Sequence, residues 1–269
     1  MAIKLLAVDL DGTLLNSHQK ITPKTKAALQ KAAKLGINVV PCSGRPFPGV
    51  KEYLNELGLS GDNQYAVTFN GALVFNLKGD VLVKDLHNYQ DFVYFRNISE
   101  KYKMPFHFEL EDKFITLDPH INYFMSRESW LTRMPIEVKA FEDIPQDICF
   151  TKGMFTGHPK RIKEFLSEIP TEIFENYNVS TSDKTLVEIN TSTASKGKAL
   201  IELGKELNIK PEEIMIFGDQ KNDISMFSIP SFRKIAMGNA IEEIKNRADF
   251  VTKTNDEDGI AYALEELVF

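Results

Sequence analysis

Val8-Asp9-Leu10-Asp11-Gly12-Thr13 places two carboxylates and a glycine at the end of a short apolar run, Ile3-Lys4-Leu5-Leu6-Ala7-Val8. An apolar run of that length bounded by a turn signal predicts a strand buried on both faces. Gly12 lets the chain turn sharply away from it. A carboxylate at the mouth of a buried strand is costly unless a cation or hydrogen-bond donors meet it. The other reading is a surface Asp-x-Asp-Gly turn, and this stretch alone leaves both open.

The flanking chain supplies context. Leu14 to Ile21 is short and polar and reads as a flap. Thr22-Pro23 starts a helix, with Thr22 as N-cap and Pro23 in the first turn. Ala28, Leu29, Ala32 and Ala33 form its apolar face and Gly36 ends it. Ile37 to Cys42 predicts the next strand, which delivers Ser43, and Pro46 to Leu57 a second helix. Strand, helix, strand, helix implies parallel strands with right-handed crossovers. Ligands gather at the carboxyl ends of such strands, where Asp9 and Ser43 both fall. Tyr65 to Phe69 is a further strand, and Asn70-Gly71 signals a hairpin into Ala72–Phe75, with Val81–Val83 following. Asn70 is either a turn residue or a ligand contact.

From Asp85 to Glu188 the pattern changes to mixed helices and strands rich in aromatics. Helices are expected over Asp91–Tyr102, Pro119–Trp130 and Pro159–Ile169. Strands are expected over Phe106–Leu110, Phe114–Leu117, Cys149–Phe155, Asn178–Ser182 and Leu186–Ile189. This is an α+β domain of ordinary small size. Helical and strand patterns resume at Lys196, and Ile214 to Phe217 predicts a strand that delivers Asp219. The expected organisation is therefore a discontinuous α/β core, residues 1–84 and 189–269, with residues 85–188 inserted. An insertion with two crossings back to the core is built to open and close over a strand-end site.

Composition sets limits on function. A net charge of -6 argues against nucleic acid or an anionic membrane as the main partner. No apolar stretch approaches the length of a membrane span, and Asp9 interrupts the N-terminal apolar run, so no signal peptide is expected. Cys42 and Cys149 are too few and too far apart for a disulfide framework; both are expected in the core of a cytoplasmic protein. His18, His87, His107, His120 and His158 show no zinc-ligand spacing. Trp130 and the many Phe residues of the insertion are expected in its core.

Three further stretches decide between the two readings of Asp9. Val39-Val40-Pro41-Cys42-Ser43-Gly44-Arg45 is a strand ending in a hydroxyl and a glycine. Thr193-Ala194-Ser195-Lys196-Gly197 puts a lysine at a helix start, where a cation opposes the helix dipole and needs another reason to be there. Ile214-Met215-Ile216-Phe217-Gly218-Asp219-Gln220-Lys221-Asn222-Asp223 is a strand ending in a second acidic cluster. Together with the first motif these resemble the four signatures of the haloacid dehalogenase (HAD) superfamily, in that family's order. Asn70-Gly71-Ala72 and Ala236-Met237-Gly238-Asn239-Ala240 are similar to the Cof-type branch, and the whole chain resembles its YidA-like sugar phosphatases.

The resemblance implies a doubly wound, mostly parallel sheet with an inserted α+β cap. It also implies a Mg²⁺-dependent phosphatase of small phosphorylated metabolites, sugar phosphates foremost. A carboxylate nucleophile yields an aspartyl-phosphate, which fits Asp9, and a second carboxyl must serve as acid and then base, which fits Asp11. The implied metal set is the side chains of Asp9 and Asp219 with the backbone carbonyl of Asp11, an oxygen set suited to Mg²⁺. Asp223 is expected beside it, holding metal waters or Lys196. Ser43, Lys196, Asn222 and the amides of Leu10 and Gly44 are the expected holders of the phosphoryl oxygens. Arg45 either contacts substrate or braces the Ser43 loop. The same residues serve a phosphomutase or phosphotransferase, and a non-enzymatic sugar-phosphate sensor is the third reading. Substrate identity and oligomeric state are left open.

Overall fold

A computed structural model of the protein describes residues 2–59, 64–181 and 183–269. The chain divides into two compact units, residues 1–84 with 195–269, and residues 85–194.

In the first unit, β1 (Leu5–Asp9) is buried at every position, as its unbroken apolar run requires. α1 (Pro23–Lys34) starts where Thr22 accepts a hydrogen bond from the Thr25 amide. β2 (Asn38–Cys42), α2 (Phe47–Glu56) and β3 (Tyr65–Thr68) follow. β4 (Leu73–Asn76) and β5 (Val81–Lys84) then turn back as antiparallel strands, as the Asn-Gly signal predicted.

The second unit begins with α3 (Tyr89–Tyr102), capped by Asn88, then β6 (Phe106–Glu109), β7 (Phe114–Thr116), α4 (Tyr123–Thr132) and β8 (Ile136–Val138). It continues with β9 (Lys152–Thr156), α5 (Pro159–Glu168), α6 (Glu172–Asn176), β10 (Tyr177–Ser180) and β11 (Leu186–Thr191). The chain returns to the first unit as α7 (Lys196–Glu206), β12 (Ile214–Gly218), α8 (Ile224–Phe227), β13 (Arg233–Ala236), α9 (Glu242–Lys245), β14 (Phe250–Val251) and α10 (Gly259–Leu267).

The first unit's eight strands run in the order β14-β13-β12-β1-β2-β3-β4-β5, parallel from β14 to β3. Leu5 pairs with Asn38 on one side and Ile214 on the other, so β1, β2 and β12 end together. Asp9, Ser43 and Asp219 therefore emerge along one edge of the sheet. Ligands bind at this edge of a parallel sheet, because the strands' loops converge there.

The second unit's six strands run in the order β10-β11-β9-β6-β7-β8, antiparallel except for β7 with β8. Side chains alternate across this sheet. Phe106, Phe108, Ile115, Phe155, Val187 and Ile189 pack with Phe92, Phe95, Ile162 and Phe165 of α3 and α5 into one apolar core.

Several expectations need correction. β11 pairs with β9 and β10 and belongs wholly to the second unit, so the return crossing falls at 194/195 instead of 188/189. The strand expected from Cys149 starts at Lys152, because Phe150 instead bridges His87. Cys149 is exposed, while Cys42 is buried as expected. Trp130 is 77 % exposed: α4 buries only Met125 and leaves Tyr123 and Trp130 outside. The strand expected to end at Ser182 is β10, and Ser182 lies outside the described residues.

Candidate active site

Asp9 closes β1 and is buried. Lys196, the first residue of α7, reaches it: Nζ donates to Asp9 Oδ1 at 2.5 Å and to Asp223 Oδ1 at 2.7 Å. This pairing explains a lysine at a helix N-terminus, since the two carboxylates outweigh the unfavourable dipole. The other oxygen of Asp223 accepts from the amides of Asp219 (2.9 Å) and Gln220 (3.2 Å), which folds the turn after β12. A side chain on Gly218 would meet the Asp223 carboxylate at 2.6 Å. Asp219 accepts from Thr13 Oγ1 at 2.8 Å. Gly12 has φ +82°, and a Cβ there would run into the Asp219 carboxylate, so glycine is required for both conformation and space.

Carboxylate oxygens of Asp9, Asp219 and Asp223 lie within 4.8 Å of one another, the one such convergence of acid, His or Cys side chains among the described residues. Burial, and then the charge of Asp223, hold the Asp9 carboxyl well above the usual range, although Lys196 pulls it down. Burial also raises Asp219, to about 6, against the lowering effect of its Thr13 hydrogen bond. Lys196 is held above its ordinary value: burial disfavours its charge, but Asp223 and Asp9 outweigh burial. Three carboxylates facing one ammonium leave a buried site rich in negative charge. An all-oxygen donor set with that excess fits a hard divalent cation.

The Asp11 side chain lies outside this triad. Arg45 holds it with Nη2–Oδ1 at 2.6 Å and Nε–Oδ2 at 3.1 Å, and also donates to Tyr53 Oη and Gln19 Oε1, both at 3.1 Å. Ser43 is buried; its Oγ accepts from the Arg45 amide at 3.1 Å and its carbonyl from the Asn70 amide at 3.0 Å. A Cβ on Gly44 would come 3.0 Å from Asn70 Oδ1, an atom that is buried and has no hydrogen-bond partner. Leu10 is buried, and its carbonyl accepts from the Leu15 amide at 2.9 Å. Asn222 is exposed on the turn 221–223.

The structure thus brings Asp9, Asp219, Asp223 and Lys196 together, sets Asp11 beside them on Arg45, and places Ser43 and Gly44 at the neighbouring strand end. Two features escaped the sequence reading. One is the Arg45–Asp11 fork. The other is Asn239, whose Nδ2 donates to the Gly12 carbonyl at 2.8 Å and whose Oδ1 accepts from the Asn255 amide at 3.0 Å. Its place directly after Gly238 was the available signal.

The model of the haloacid dehalogenase-like hydrolase family matches residues 6–264. The chain belongs to that family. Among relatives of this HAD-like hydrolase, a Bacillus subtilis protein, a phosphatase by name, is 37% identical over 98% of each chain. Another from Bacillus subtilis, named 5-amino-6-(5-phospho-D-ribitylamino)uracil phosphatase, is 29% identical over 99% of this chain and 98% of its own. A solved haloacid dehalogenase-like hydrolase from Bacteroides thetaiotaomicron matches the fold with a TM-score of 0.85 at 26% identity, covering 98% of this chain and 99% of its own. The protein is a phosphatase of the HAD type. Among the described residues no helix is long and apolar enough to cross a membrane.

Proposed function

We propose that this HAD phosphatase hydrolyses small polyhydroxylated phosphate monoesters, sugar phosphates foremost, with Mg²⁺ and through an aspartyl-phosphate on Asp9. The observation that carries the reading is the buried Asp9, held by Lys196 at 2.5 Å within a triad of carboxylates, while Asp11 two residues later is kept apart. One carboxylate is thereby available to attack and a second to move protons. The ribityl phosphate in the name of the relative above is an ester of the proposed class.

A phosphate ester resists attack because its oxygens repel the nucleophile, so a site must supply positive charge and in-line geometry. In the first step an Asp9 oxygen forms a bond to phosphorus, the ester P–O bond breaks, and the departing alkoxide takes a proton from Asp11. In the second, water attacks phosphorus, gives its proton to Asp11, and the Asp9–phosphorus bond breaks, releasing inorganic phosphate. Lys196, Ser43, Asn222 and the amides of Leu10 and Gly44 hold the phosphoryl oxygens. Asp9, Asp219 and the Asp11 carbonyl would hold Mg²⁺, which would supply charge neutralisation when bound. Arg45 occupies both Asp11 oxygens, so proton donation requires that fork to open. The choice of leaving group is assigned to the inserted unit, since the residues named above account for the phosphoryl group and the proton transfers alone. The substrate is a free small molecule of the cytoplasm, with no role for nucleic acid or membrane.

The test is purified protein with Mg²⁺ and a panel of phosphorylated metabolites. Release of inorganic phosphate without isomerised or transferred product is expected; transfer to a second sugar would make it a phosphotransferase, and no turnover of any ester would leave only a sensor.

A further inference from the structure

β8 (Ile136–Val138) ends the second unit's sheet and is bonded to β7 on one side only. The Pro135 carbonyl accepts from the Phe114 amide at 2.8 Å, and the Lys139 amide donates to the Thr116 carbonyl at 2.9 Å. Backbone groups of a strand point alternately to its two sides, so Pro135, Glu137 and Lys139 address β7. Ile136, Val138 and Ala140 turn their amides and carbonyls outward, and Ala140 is still extended, with φ -77° and ψ 156°. Proline often protects a sheet edge, but the amide missing at Pro135 lies on the β7 side, so it does not protect this one.

Side chains alternate in step. Val138 lines up across the sheet with Thr116, His107 and Met154. α4 lies over the same face, where Asn122 Nδ2 donates to Thr156 Oγ1 at 3.0 Å. Glu137 and Lys139 stand on the opposite face, where Glu137 pairs with Lys139 at 3.3 Å and with Lys113 at 3.2 Å.

Two features show what fits this edge. Ile121, Tyr123, Trp130, Leu131 and Val138 fall in one stretch that ends at the edge, and they are most of the large apolar side chains exposed among the described residues. An apolar surface gathered beside an open strand calls for another polypeptide. The order of the charges then selects the polypeptide. A second copy of β8 can approach antiparallel only with outward residues opposite outward residues. If the twofold passes through Glu137 or Lys139, like charges stand face to face. If it passes through Val138, Glu137 of each copy faces Lys139 of the other, at the positions where opposed side chains stand closest. The edge is complementary to itself in that register.

We propose that two copies of this chain associate through β8, antiparallel about Val138, and join two six-stranded sheets into one. The twofold axis stands perpendicular to the sheet, so both copies of α4 lie on one face, on either side of the seam. Their exposed side chains supply the apolar burial that so short a ladder lacks. The interface uses no residue of the Asp9 site.

The test is analytical ultracentrifugation of the full-length protein across the micromolar range, where a monomer–dimer equilibrium is expected. Val138→Pro removes the amide at the twofold and gives monomer. Glu137→Lys and Lys139→Glu each set like charges opposite one another and raise the dissociation constant by about ten-fold or more. Mixing these two single variants brings Lys against Glu again and recovers association as a heterodimer, and the double variant Glu137→Lys/Lys139→Glu recovers the homodimer. Circular dichroism matching the unmodified protein certifies the fold of each variant. An unmodified protein that stays monomeric overturns the inference. So does a dimer that survives Val138→Pro, or a pair of single variants that gains nothing on mixing. If Val138→Pro fails to fold, the mixing experiment decides the question alone.

Discussion

Replacing Lys196 by methionine keeps the length of the side chain and removes its charge from a position with no solvent exposure. The ammonium touches Asp9 at 2.5 Å and Asp223 at 2.7 Å. At an effective dielectric constant near 20, each contact carries about 6 kcal/mol of Coulomb attraction. Part of that is returned because lysine no longer needs to be desolvated, and breaking such a buried pair costs a net of about 3–5 kcal/mol. For a chain of 269 residues this lowers Tm by roughly 6–10 °C. The loss depends on pH. Asp9 already sits above its ordinary value, and without the ammonium it rises further. A carboxyl raised in the folded state contributes stability that is fully present below its unfolded value of 3.8 and is lost as pH rises through the folded value. The gap between variant and unmodified protein is therefore widest above the raised folded value of Asp9 and closes as pH falls toward its unfolded value. Thermal unfolding of chelator-treated protein, followed by circular dichroism across that range, measures it. Equal melting at neutral pH, or a gap that widens on acidification, refutes the argument that Lys196 keeps buried carboxylates charged. Loss of the same charge from the phosphoryl site lowers kcat/KM by about 10²–10³-fold.

Asp9→Asn removes the attacking oxygen and little volume: turnover is abolished with melting largely preserved, and more than a trace of the wild-type rate would rule out covalent catalysis at Asp9. Chelation stops phosphate release, Mg²⁺ restores it, and Ca²⁺ inhibits, because calcium prefers more ligands and longer bonds and draws both Asp9 oxygens to itself; full activity in excess chelator would sink the metal assignment. Glu109→Gln raises stability through pH, since a carboxyl lifted from 4.5 to about 8 in the fold loses its stabilising contribution as pH rises through that value. The gain over wild type is near zero at about pH 4, is on the order of 3 kcal/mol at neutral pH, and grows to about pH 8; urea titrations that give the same gain at every pH would count against a buried Glu109 whose charge burial disfavours.

The core site was legible in the sequence because each part obeys a short-range rule. Asp9 and Asp219 end apolar runs that read as buried strands, Gly12 marks the turn after the first, and Lys196 sits where the helix dipole disfavours a cation. What was not legible depends on distant pairings. Arg45 follows Ser43 directly, yet its target Asp11 is 34 residues away, and the choice between substrate contact and brace needed the fold. Lys152 and Glu188 are 36 residues apart, and in sequence each is an ordinary polar position of an alternating strand. Only the pairing of β6, β9 and β11 puts them beside Glu109. Trp130 and Cys149 misled because residue type was read as burial: α4 has a single buried residue, so Tyr123 and Trp130 stay outside.

Each unit encloses three carboxylates and one lysine, and the two solve the resulting charge problem differently. In the core, oxygens of Asp9, Asp219 and Asp223 converge within 4.8 Å. Burial, and then the charge of Asp223, raises Asp9 even with Lys196 in contact, and the divalent cation proposed above would relieve all three carboxylates at once. In the second unit Glu109, Glu128 and Glu188 surround Lys152 without converging, and the relief available is a proton on Glu109, held at about 8. A protonated Glu109 still offers a donor and an acceptor beside Lys152 while giving up the charge that burial penalises.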